Sequence, residues 1–103
     1  MYSPCSYTYI LECANGKYYV GSTTDLERRL QEHQAGVGAN YTKKHLPVKL
    51  VYYEEYQTVE QAFIREKQLH GWNRAKKEAL LKGEIDKLPR LSSSTTSANI
   101  ATQ

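Results

Sequence analysis

Aromatic and β-branched residues cluster in two short runs near the start of the chain. Residues 7–13 (Tyr-Thr-Tyr-Ile-Leu-Glu-Cys) and 18–22 (Tyr-Tyr-Val-Gly-Ser) predict two strands. Asn15-Gly16 between them is a strong hairpin signal. On the residues alone the register is open. A two-residue loop pairs Cys13 with Tyr18 and sends Tyr9 and Tyr19 to opposite faces. A three-residue loop, Asn15-Gly16-Lys17, pairs Cys13 with Tyr19 and puts both tyrosines on one face.

The apolar pattern then changes to a helical one. Thr24 and Glu27 read as a capping box that starts a helix running to about Ala35, with Gly36 ending it. At about 100° per residue, Leu26, Arg29, Leu30 and His33 form one stripe while Arg28 faces away. Residues 36–47 make a long polar connection, the kind that is usually functional or mobile. Residues 48–56 read as a third strand. Thr58 with Gln61 is a second capping box, opening a helix from Val59 to His70. Its expected inward stripe is Val59, Ala62, Phe63, Glu66, Leu69 and His70. Gly71 breaks that helix, and Asn73 caps a third from about Arg74 to Lys82. After Pro89 the chain is low in complexity and too polar to bury, so a disordered tail is expected.

Three polar residues occupy positions that should be apolar: Arg29 and His33 on one helix and Glu66 on the next. They read either as a buried structural salt bridge with a satisfied interior histidine, or as the lining of a cleft. Nine tyrosines against one phenylalanine suit half-buried, half-wet positions, although plain sheet packing would also use them. Arg74, Lys76 and Lys77 form a compact basic run. With Tyr41, Lys43 and Lys44 of the connection they read as a phosphate track, or separately as ordinary solvated faces.

Composition narrows the class without naming a function. At 103 residues there is room for one core, and 40% apolar with 24% charged residues is ordinary for a globular domain. A net charge of +3 is compatible with a polyanionic partner but does not demand one. Cys5 and Cys13 lack metal-ligand spacing and are expected to be free thiols. The chain has no signal-peptide pattern and no apolar run of the roughly 18 residues a membrane span needs, so a cytoplasmic protein is expected.

Taken together, Tyr19-Val20-Gly21, Arg29 ten residues after that tyrosine, His33 one turn later and Glu66 in Ile64-Arg65-Glu66-Lys67 resemble the GIY-YIG endonuclease superfamily. The first family motif stands here as Tyr7-Thr8-Tyr9, with its tyrosine at Tyr9. Ala39-Asn40-Tyr41-Thr42-Lys43-Lys44 and the segment from Trp72 to Leu81 look like the small stand-alone, single-domain members. The likeness covers roughly residues 7–83, between an extension at 1–6 and the tail at 84–103. A late asparagine used by larger members has no counterpart, since Asn73 follows Glu66 too closely.

The resemblance implies an α/β fold, with a small three-stranded antiparallel sheet flanked by helices in the order β-β-α-β-α-α. It also implies that Tyr9 and Tyr19 share a face, and it therefore favours the three-residue hairpin loop. It implies catalytic Tyr9, Tyr19, Arg29, His33 and Glu66, with Glu66 as ligand of Mg²⁺ or Mn²⁺. The implied activity is divalent-metal-dependent hydrolysis of DNA, with a link to repair or recombination. Branched, nicked or otherwise non-B-form substrates are expected for want of a targeting domain, and a protein partner would then supply targeting. The rival expectation is a nucleic-acid-binding module with the same fold and little or no catalysis. For a tyrosine to act as base near neutrality its pKa, about 10 when free, must fall by about 3, or about 4 kcal/mol of differential interaction.

Overall fold

A computed structural model describes residues 5–83. Its elements in chain order are β1 (Ser6–Glu12), β2 (Tyr18–Thr23), α1 (Leu26–Gln34), α2 (Asn40–Lys43), β3 (Lys49–Tyr56), α3 (Val59–His70) and α4 (Arg74–Leu81). They fall into two compact units, one ending at Gly71 and the other beginning at Trp72. The expected tail, and all of the expected N-terminal extension but its last two residues, lie outside the described residues; Ser6 already belongs to β1. No helix among the described residues is long and apolar enough to cross a membrane. Cys5 and Cys13 are free thiols.

The sheet is antiparallel with strand order β2-β1-β3, so β1 is central and the expected three-stranded α/β architecture is present. Alternation along β1 divides the core. Tyr9, Leu11 and Cys13 pack with Val48, and Tyr19, Leu26, Leu30, Leu46 and Leu50 close around them, which makes this the α1 face. Ser6, Thr8 and Ile10 point to the other face, where the buried Thr8 hydroxyl donates to the Ala62 carbonyl of α3 at 2.7 Å.

The hairpin corrects the expected register while keeping its consequence. Its loop has three residues, but they are Ala14-Asn15-Gly16: Cys13 N–H donates to the Lys17 carbonyl at 2.9 Å, and Leu11 rather than Cys13 pairs with Tyr19. Gly16 takes φ +83°, the left-handed position that closes a three-residue hairpin and suits glycine. Asn15 Oδ1 accepts from Lys17 N–H at 3.1 Å, an Asx turn that holds the shift. Shifting both ends of the loop by one residue changes the pairing by two, so Tyr9 and Tyr19 still share a face.

Helix boundaries follow local capping chemistry with one correction. The N-cap of α1 is Asp25, not Thr24: its carboxylate accepts from Arg28 N–H at 3.1 Å, while the Thr23 hydroxyl accepts from Asp25 N–H. An aspartate is the stronger cap and also complements the helix dipole. Thr58 and Gln61 form the full reciprocal box on α3. Asn73 caps α4 through Lys76 N–H. The connection at 36–47 contains a turn of helix, α2, that no periodicity announced.

α3 is rotated from its expected face. Ala62 and Leu69 are buried, and Arg65 and Glu66 complete that stripe, whereas Val59, Phe63 and His70 face outward. The cause is ionic. Arg65 makes a two-pronged pair with Glu54 of β3 at 2.9 and 3.1 Å, and the Tyr52 and Tyr56 hydroxyls donate to the same carboxylate at 2.5 and 2.6 Å. The half-buried carboxylate is well supplied with partners, so the charge is tolerated and the helix is turned toward it.

Candidate active site

Tyr9 lies opposite Gly21 in the β1–β2 ladder. A β-carbon on Gly21 would stand 2.5 Å from the Tyr9 Oη, 2.7 Å from its Cζ and 3.2 Å from Tyr19 Cε2. The missing side chain lets the Tyr9 ring lie across β2, carrying its hydroxyl toward the edge of the sheet. This is a packing requirement for glycine and not one of backbone angle.

At that edge the phenol meets His33, which the last turn of α1 delivers into the interior. Tyr9 Oη lies 2.9 Å from His33 Nε2, and His33 Nδ1 lies 2.8 Å from Thr42 Oγ1. Thr42 in turn donates to the Ala39 carbonyl at 3.0 Å. The Tyr9 and Tyr19 rings both meet the imidazole edge-on, with centroids at 5.8 and 5.4 Å. Gly38 closes the remaining side, since a β-carbon there would fall 2.5 Å from Nδ1.

Arg29, one turn before His33, holds its guanidinium to Glu32 Oε1 at 2.9 Å and hydrogen-bonds Tyr9. Its side chain is 30% exposed against 75% for Arg28, the inward and outward placements their helix positions predict. Glu66 approaches from the α3 face. Its Oε1 accepts from the Ser22 hydroxyl at 2.7 Å, and its Oε2 lies 3.4 Å from His70 Nε2. The structural alternative, an Arg29–Glu66 bridge, is not formed; each is held by other neighbours. Both still act on the two phenols, since the charges of Arg29 and Glu66 perturb Tyr9 and Tyr19 alike.

Burial dominates the phenols. It pushes Tyr9 up to about 12 despite the lowering hydrogen bond from Arg29, and it raises Tyr19 likewise. A tyrosine base near neutrality requires a downward shift, and the shift here is upward, because desolvation of the buried phenolate outweighs one guanidinium. His33 is pushed below its ordinary value by burial and then by the Arg29 charge, so it is neutral at pH 7. Glu32, bound by Arg29 and then Arg28, is held below the usual carboxylate range.

Among the described residues no three His, Cys, Asp or Glu side chains gather as a metal cage. Glu66 alone suits a hard, hydrated ion: Mg²⁺ commonly keeps several waters and takes one or two carboxylates plus substrate phosphate oxygens. Glu66 is thus a carboxylate of the kind such an ion takes, and the residues present are compatible with Mg²⁺ or Mn²⁺.

The candidate phosphate contacts divide between the units. Tyr41, Lys43 and Lys44 are exposed on α2 and its C-cap, where Asn15 Nδ2 donates to the Tyr41 hydroxyl at 2.9 Å. On α4, Arg74 pairs with Glu78 at 2.9 Å, Lys76 lies over the Trp72 ring at 5.4 Å, and burial lowers Lys77. Sequence reasoning missed Ser22, Glu32, Gly38 and Thr42. The side chains of Ser22 and Thr42 and the bare α-carbon of Gly38 matter only through contacts outside their own element, whereas Glu32 pairs with Arg28 and Arg29 at ordinary helix spacing that is readable along α1. No spacing rule marks Ser22, Gly38 or Thr42.

This combination of a glycine-opened tyrosine pair with an inward arginine, histidine and glutamate coincides with a match to a family profile. Residues 5–79 match the family described as "GIY-YIG catalytic domain", and the chain belongs to that family, a family of nucleases. Within it, the chain is similar to the small stand-alone UPF0213 proteins. It is 44% identical over 82 residues to one from Streptococcus pneumoniae, covering 80% of this chain and 83% of that one. A UPF0213 protein of Haloquadratum walsbyi is 44% identical over 80 residues, covering 78% and 90%. The solution NMR structure of a protein from E. faecalis superposes with a TM-score of 0.54 at 34% identity, covering 90% of this chain and 100% of that one. That of a UPF0213 protein from Bacillus halodurans gives 0.50 at 37%, covering 86% and 98%.

Proposed function

We propose that the protein is a divalent-metal-dependent endonuclease that hydrolyses a phosphodiester bond in DNA. The observation that carries this reading is the buried pair of Tyr9 and His33 beside Arg29. A phenol with a high pKa is a poor base alone, but one joined to a neutral imidazole has an outlet for its proton.

In the proposed reaction the Tyr9 oxygen takes a proton from the attacking water while its own proton passes to His33 Nε2. The water oxygen bonds to phosphorus, the opposite P–O bond breaks, and the leaving oxygen takes a proton from solvent. The proton gained by His33 returns through the Tyr9 oxygen as that phenol gives its own to solvent after the product has left. Arg29 exchanges Glu32 for the non-bridging phosphate oxygens, where its planar donors meet growing charge. Tyr19, half-buried beside the same imidazole, packs Tyr9 and His33 in place. Glu66 would hold the metal, which supplies charge neutralisation at the phosphate when bound. Tyr41, Lys43 and Lys44, with Arg74, Lys76 and Lys77, are proposed to contact the DNA backbone.

Nicked and branched duplexes, tested beside plain duplex with Mg²⁺, Mn²⁺ or EDTA, examine this directly. Metal-dependent cleavage should vanish in Arg29→Ala and Glu66→Ala, by at least about 100-fold, with circular dichroism unchanged. Unchanged cleavage in both variants would discard the site. Binding without cleavage by the wild type would favour the non-catalytic module instead. Preference for nicked or branched DNA would support structure selectivity and a place in repair or recombination.

A further inference from the structure

We propose that Thr42 is a positioning residue of the cleavage site: it fixes the tautomer of His33 so that Nε2 is the atom free to receive the phenolic proton of Tyr9. The consequence for rate rests on the nuclease reading above, but the hydrogen-bond assignment does not.

The polarity of each hydrogen bond dictates the next. The Ala39 carbonyl can only accept, so the Thr42 hydroxyl, 3.0 Å away, spends its one hydrogen there. Its oxygen then offers only lone pairs to His33 Nδ1 at 2.8 Å, and Nδ1 must carry the hydrogen. In a neutral imidazole that leaves Nε2 as an acceptor, so Tyr9 donates to it across 2.9 Å. The opposite tautomer would set the Nδ1 lone pair against an oxygen with no hydrogen to give. His33 and Thr42 are fully buried, so water has little access to Nδ1 with which to repair the mismatch.

The same arrangement serves the charged state. When the Tyr9 proton moves to Nε2, the imidazolium keeps its second N–H on Thr42, and both of its donors retain partners. The titratable groups facing His33 are Tyr9 from β1, Tyr19 from β2, and Arg29 and Glu32 from its own helix. From the α2 segment come only the neutral Thr42 and Gly38. The long connection thereby acquires a structural role, because its single helical turn ties the Thr42 hydroxyl to the Ala39 carbonyl beneath the imidazole.

The test is imidazole ¹⁵N–¹H correlation spectroscopy on the full chain, with steady-state cleavage, for the wild type, Thr42→Val and Thr42→Ser. The wild type should show His33 as the Nδ1–H tautomer. Thr42→Val should lose that signature and lower kcat by about 10- to 100-fold with KM for DNA nearly unchanged, and Thr42→Ser should restore both. An Nε2–H tautomer in the wild type, or an undisturbed Nδ1–H tautomer in Thr42→Val, would overturn the proposal. Should Thr42→Val not fold, the wild-type and Thr42→Ser spectra still decide it. A wild type that cleaves nothing would remove the nuclease reading and the rate claim, leaving the tautomer to be judged by the spectra.

Discussion

The phenol of Tyr9 rests on the bare α-carbon of Gly21, with its oxygen 2.5 Å from where a β-carbon would stand. The outermost strand of the sheet is thus notched, and the notch admits the group that reaches His33. Gly21→Ala should displace the Tyr9 ring and lose most of the cleavage activity, at a stability cost of about 1–3 kcal/mol for overpacking. Thermal denaturation beside the nicking assay checks both. An alanine variant of full activity would show that the Tyr9 position is not needed.

The two tyrosines should separate on removal of their hydroxyls. Tyr9→Phe loses the link to His33 and should cost about 100-fold or more in kcat, while Tyr19→Phe keeps its edge-on contact with the imidazole and should cost much less. Single-turnover rates at saturating metal distinguish them. The reverse order would move the proton acceptor to Tyr19.

Stability and cleavage should both fall in mild acid because of His33. Burial and Arg29 hold its folded pKa below the value of about 6.5 it has when unfolded. Between the two values the unfolded chain binds the extra proton. Stability from this group is therefore complete above about pH 6.5 and is lost as pH falls toward the folded pKa. Cleavage should fail in the same direction, as Nε2 becomes occupied. Tyr9 stays protonated up to about 12, so it adds no alkaline loss near neutrality. Denaturation midpoints and rates between about pH 5 and 8 measure this, with His33→Gln as the variant in which the stability slope should flatten.

Arg65→Met should destabilise the fold by about 3 kcal/mol, because it leaves the Glu54 carboxylate half-buried without its cation. Adding Glu54→Gln should recover much of that loss, since the uncompensated charge then disappears. Urea unfolding of the single and double variants gives the coupling. A near-zero cost for the single variant would mean that packing, and not this pair, sets the rotation of α3.

Short-range chemistry was legible along the chain. The reciprocal box at Thr58 and Gln61 marked the start of α3, Asn73 marked that of α4, and helix periodicity turned Arg29 and His33 inward and Arg28 outward. Each of these signals is complete within one or two turns of backbone. The Asx turn at Asn15 and the Asp25 cap of α1 are equally local, although the residues there allowed more than one choice; tertiary structure alone decided which way α3 faces. It also placed Thr42 against the imidazole and raised the Tyr9 pKa, where a tyrosine acting alone as base near neutrality would need a lowered one. These depend on partners far apart along the chain, such as Tyr9 and His33 at a separation of 24 residues or Thr8 and Ala62 at 54. Desolvation and hydrogen-bond polarity exist only once those partners have met in a space that water has left.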